Sequence, residues 1–89
     1  MKQKIRESIF DPRDERRIKD VLENVTSFFK IGEMLKKLGY KVSYSDMQFP
    51  MYTFVIPGKR GTYAIVNKKY ADPSPGDIIT KEYLCGKLD

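Results

Sequence analysis

The sequence predicts an α+β fold: an N-terminal helix or helix pair packed on a three-stranded antiparallel sheet, with the last segment a short helix or a fourth strand. Two observations predict it. Apolar residues recur at helical spacing up to Gly39, and beyond it the period shortens to that of strands. A third, the Pro-Gly loop between two aromatic and β-branched runs, makes those runs a hairpin. At 89 residues, 40% of them hydrophobic, the chain is one domain.

Residues 1–10 alternate charges with isolated apolar groups and read as an arm. Asp11-Pro12 then starts a helix by a local mechanism. Asp11 accepts orphan amide hydrogens, Pro12 fits the first helical position, and Asp14 and Glu15 suit the positive end of the dipole. Ile18, Val21, Leu22 and Val25 give this helix its apolar face, over about Pro12 to Asn24. Ile31, Met34, Leu35 and Leu38 repeat the pattern in a second helix, about Phe28 to Leu38, ended by Gly39. Phe28, Phe29 and Phe54 are expected in the core.

Three strands follow: Tyr40 to Tyr44, Tyr52 to Ile56 and Thr62 to Asn67. The five-residue loop Pro57-Gly58-Lys59-Arg60-Gly61 joins the last two. With Ile56 opposite Thr62, Tyr52, Phe54, Ile56, Ala64 and Val66 would share one face, and Met51, Thr53, Val55, Tyr63 and Ile65 the other. Both faces are then apolar, and one needs a cover other than the helices. Ala71 to Asp77 is a loop. Ile78-Ile79-Thr80 fits a short strand, yet Thr80 also fits the cap of a terminal helix from Lys81 to Leu88, the preferred reading because Ile79, Tyr83 and Leu84 would share a face.

Composition excludes much chemistry. Without histidine there is no His general base, no Ser/His/Asp or Cys/His pair and no Cys/His zinc site, and the one cysteine, Cys85, has no partner for an internal disulfide. The carboxylates are scattered, so no metal or other cofactor is expected, and the chain does not read as an enzyme. Gly58 to Thr62 lacks the spacing of a phosphate loop and lies between strands. No apolar run approaches the roughly 20 residues that span a bilayer. A cytoplasmic protein without membrane contact is expected.

Charge gives the positive signal. Net charge is +5, and the residues up to Tyr44 carry +4 of it. Seven of the eleven aromatic residues fall between Tyr40 and Tyr70, interleaved with cations. That mixture suits nucleic acid, RNA or DNA: lysines neutralise phosphates and tyrosines stack on bases. The candidate contacts are Lys36, Lys37, Lys41, Lys59, Arg60, Lys68 and Lys69, with Tyr44, Tyr52 and Tyr63 for stacking or for an interface. The alternative is a protein-interaction module, an inhibitor, adaptor or phage-type accessory protein, whose second apolar sheet face takes a partner or a second copy.

From about Ile31 onward the layout resembles the double-stranded-RNA-binding-type fold, and within it the HicA family of small RNA-cleaving toxins. The resemblance rests on Met34-Leu35-Lys36-Lys37-Leu38-Gly39-Tyr40, the segments Thr53 to Ile56 and Tyr63 to Val66, and Pro75-Gly76-Asp77. That family's catalytic histidine lies where this chain reads Phe49-Pro50-Met51-Tyr52. The resemblance therefore implies an RNA-facing scaffold without the cleavage chemistry.

Overall fold

The computed structural model describes residues 10–88, which form two helices on one face of a five-stranded antiparallel sheet. Helix α1 (Pro12–Asn24) begins as the sequence predicts, the Asp11 carboxylate accepting the Arg13 amide at 2.8 Å. A single 3-10 turn, Phe28–Lys30, leads into α2 (Ile31–Lys37), and the chain leaves through Gly39 at φ 93°, a conformation glycine adopts without strain. Residues 1–9 of the expected arm lie outside the described residues. Phe10 is no part of an arm: it is buried, its ring 5.0 Å from that of Tyr63.

The strands are β1 (Lys41–Ser45), β2 (Met51–Val55), β3 (Tyr63–Asn67), β4 (Ile78–Ile79) and β5 (Tyr83–Lys87), in the order β1-β2-β3-β5-β4. Three strands were expected with a terminal helix or a fourth strand: the short strand at Ile78–Ile79 is formed, the terminal helix is not, and Tyr83–Lys87 is a fifth strand filling the place beside β3, Ile65 opposite Cys85. The cap foreseen at Thr80 does exist, but it serves a different turn. Tyr83 donates its amide to the Thr80 hydroxyl at 3.1 Å while the Thr80 amide donates to the Tyr83 carbonyl at 3.0 Å, folding β4 back onto β5.

The β2–β3 hairpin is present in a register one residue from that expected: Phe54 pairs with Tyr63 and Tyr52 with Ile65. The tip carries a turn from Ile56 to Lys59 (amide to carbonyl, 3.0 Å) and two glycines, Gly58 and Gly61, at positive φ. A slip of one residue moves every later side chain to the opposite face. Tyr52, Phe54, Tyr63 and Ile65 thus all point to the helices, where they meet Ile18, Leu22, Ile31, Leu35, Ile78 and Cys85 in one core. Phe28 is half-buried against it, and Phe54 is fully enclosed.

The opposite face bears Met51, Thr53, Val55, Ala64, Val66 and Leu84. Val66 and Leu84 are nonetheless buried. A cleft of about 250 Å³ there is bounded by the sheet on one side and by Phe49 and the 71–77 loop on the other.

Candidate nucleic-acid interface

Antiparallel pairing decides which cations meet. Lys41 at the start of β1 is opposite Val55 at the end of β2, so it lies at the same end of the sheet as the hairpin tip. Helix α2 ends in Lys36 and Lys37 and enters β1 directly, bringing both to that end. Five of the seven predicted cations, Lys36, Lys37, Lys41, Lys59 and Arg60, therefore gather there, all exposed.

The N-terminus of α1 joins them. A surface cleft of about 280 Å³ at this end is lined by Arg13, Arg17 and Lys59 together with Asp11, Asp14 and Tyr40. Its two carboxylates are already engaged. Asp11 caps α1 and lies 3.3 Å from the Lys59 ammonium; the Arg13 amide, then Lys59, hold its carboxyl below the ordinary value. Asp14 is buried and accepts the Tyr40 hydroxyl at 3.1 Å. Loss of solvent, then the Asp14 charge, pushes Tyr40 up to about 12, which keeps this hydroxyl protonated. Arg13 and Arg17, four residues apart on one helix face, were not among the sequence candidates. Their spacing was legible; that the nearby acids would be taken was not.

Lys68 and Lys69 lie elsewhere. They follow the other end of β3, displaced from the tip by the length of the strand, about 16 Å. Lys68 is structural, its ammonium donating to the Thr80 carbonyl at 3.0 Å and its amide to the Glu82 carbonyl at 2.8 Å. The Lys69 ammonium sits 5.2 Å over the Tyr70 ring, which stacks in turn on Phe49.

The tyrosines divide as sharply. Tyr63 is 4% exposed, between Phe10 and Phe54, and Tyr52 is 7% exposed, its hydroxyl donating to the Phe29 carbonyl at 3.2 Å. Neither offers a ring to a base or a partner. Burial also raises the Tyr52 hydroxyl above its ordinary value. Tyr44 does offer one, at 44% exposed, and beside it stands Phe29 at 66%, a residue expected in the core. Their ring centroids are 6.1 Å apart. Phe29 follows Phe28 directly, and of the two only Phe28 turns its ring toward the core.

Cys85 is fully buried, and desolvation, with Asp77 adding to it, raises its thiol well above the ordinary value. Among the described residues no group of His, Cys, Asp and Glu side chains is placed to hold a metal ion, and no helix is long and apolar enough to cross a membrane. No family model matches the sequence, and neither a curated protein nor a solved structure matches it.

Proposed function

We propose that this protein binds nucleic acid without cleaving it, holding phosphates against the basic end of the sheet. One observation carries the reading. Arg13, Arg17, Lys36, Lys37, Lys41, Lys59 and Arg60 come from three separate stretches of chain to one end, while Asp11 and Asp14 there are occupied by a cap, an ion pair and a tyrosine hydroxyl. A local excess of exposed cations releases condensed counterions when it meets a polyanion, which gives affinity with a steep salt dependence.

Two double variants of equal net charge test this. Lys37→Glu with Lys41→Glu, and Lys69→Glu with Lys81→Glu, each lower the charge from +5 to +1. Binding to labelled oligonucleotides is followed by fluorescence anisotropy from about 50 to about 200 mM salt. The first variant is expected to bind at least tenfold more weakly with a flatter salt slope, and the second to change little. Equal losses from both would mean that net charge alone is at work and would refute a site at this end.

A second reading is favoured by the face that the helices leave open, where Val55 and Ile79 are exposed and Leu88, also exposed, lines the cleft of about 250 Å³. A partner docked there would be a protein, and Tyr52 and Tyr63 would take no part in it. Ile79→Ser, on the edge strand farthest from β1, would then abolish concentration-dependent association without altering oligonucleotide binding.

A further inference from the structure

We infer that the nucleic acid held at the basic end is single-stranded, with one unpaired base stacked on Phe29 beside Tyr44. This rests on the function proposed above and adds the form of the ligand. The two exposed rings stand at the head of a groove of about 160 Å³ between α2 and the edge strand β1, lined by Phe29, Gly32, Glu33, Lys36, Tyr44 and Tyr52. Its other end opens on the basic surface. Lys36 is common to both, and Lys37 follows it on the last turn of α2. A phosphate at Lys36 is thus within a nucleotide or two of a ring at the groove head.

The head is fixed in advance. The Phe29 carbonyl accepts the hydroxyl of buried Tyr52, and the Phe28 ring meets Phe29 edge-on at 5.9 Å and 82°, so the outward ring is held from behind. A base stacked on it pays little of the ordering cost that a mobile side chain would impose. Glu33 fixes the polarity of the groove. Its carboxylate repels a phosphate over the two rings, which leaves the backbone among the lysines and turns the base inward, where the carboxylate accepts a hydrogen bond from an exocyclic amino group. In a duplex the base faces are covered by their neighbours, so this groove has nothing to grip. The open edge of β1 adds unpaired backbone groups alongside.

The test uses the full chain, a short mixed-sequence oligonucleotide as RNA and as DNA, and each annealed to its complement. Single strands are expected to bind at least tenfold more tightly than duplexes at the same salt. Phe29→Ala should weaken single-strand binding about tenfold, as loss of one stacked base does, with the salt slope unchanged. Phe29→Trp should retain affinity, and Tyr70→Ala, which alters a similarly exposed tyrosine outside the groove, should have no effect. A duplex preference, or full single-strand affinity in Phe29→Ala while Lys37→Glu/Lys41→Glu has lost binding, would overturn the inference and leave the proposed function standing. No binding to any oligonucleotide would overturn both.

Discussion

Gly32 is where the packing of α2 can be tested most directly. A Cβ added there would lie 2.8 Å from Cε1 and 3.3 Å from Cζ of Tyr52, inside the 3.5–4.0 Å at which carbon atoms attract. The ring has little room to yield. Phe28 stands 4.9 Å and Tyr44 5.2 Å from it, centre to centre, and its hydroxyl is tied to the Phe29 carbonyl. Gly32→Ala gains at most about 1 kcal/mol of helix propensity, less this near the start of a helix. Against that stand overpacking at about 1–3 kcal/mol and a strained hydrogen bond at about 1 kcal/mol. The net expectation is destabilisation by about 1–3 kcal/mol, or roughly 4–8 °C in Tm for each kcal/mol in a domain this small. Urea unfolding followed by circular dichroism reads it as a lower midpoint at constant slope. Tyr52→Leu removes the offending ring atoms at its own cost, and in that background Gly32→Ala should become neutral or stabilising. A Gly32→Ala chain as stable as the parent would refute the argument, because the ring would then have moved aside freely.

Three further outcomes follow from the same contacts. Cys85, enclosed and with its thiol pushed up, should react with a disulfide reagent only as fast as the chain unfolds, so that labelling accelerates with urea; rapid native labelling would contradict its burial. Asp11→Asn keeps the cap but frees Lys59, and should raise oligonucleotide affinity severalfold with little change in Tm, whereas Asp11→Ala also loses the cap and should lower Tm; unchanged affinity in the Asn variant would place Lys59 outside the site. Because the carboxyl of Asp11 is depressed in the folded chain, its stabilisation is complete above 3.8 and disappears as pH falls through the lower folded value. Tyr40 is the reverse case: raised from 10.0 to about 12, it contributes stability below pH 10 that is lost as pH climbs toward 12. Urea midpoints across that interval should fall less steeply in Tyr40→Phe, with the remainder due to Tyr52 and Tyr83, also raised by burial; an unaltered slope would remove Tyr40 from the account.

What was legible in the sequence was local. Asp11-Pro12 announces a helix by groups within one turn of each other, and Gly39 ends the next by its own φ, so both helices lie where expected. Pro57 to Gly61 likewise announces a reversal. The register around that reversal was not legible, because one residue more or less in the loop decides which of two apolar faces meets the helices. Alternation in Tyr52 to Ile56 is the same for either choice. Tyr83 to Lys87 was misread for a related reason. Ile79, Tyr83 and Leu84 fit a helical face, but the segment's hydrogen bonds run to β3, whose facing residues are some twenty positions earlier in the chain. Pairing with β3 on one side and β4 on the other satisfies backbone groups along both edges of the segment, and it outweighs a weak local preference broken by Gly86.

The candidate site depends still more on distant partners. A net charge of +5 weighs every cation alike. The fold does not: Lys59 is set against Asp11 across 48 positions, Lys68 is bound to a carbonyl 12 positions away, and Asp14 is screened by a tyrosine 26 positions beyond it. Composition therefore groups Lys68 and Lys69 with the cations of the hairpin tip, from which the fold separates them, and sets aside Arg13 and Arg17, which the fold brings to it. The aromatics follow the same logic. Tyr52, Tyr63 and Tyr44 look alike in an aromatic strand segment, but the first two face the helices, whereas Tyr44 sits at the sheet's edge where cover runs out. A surface feature is thus set by what the fold leaves unpaired. Here that remainder is a group of cations at one end of the sheet and two rings along its edge, joined by Lys36.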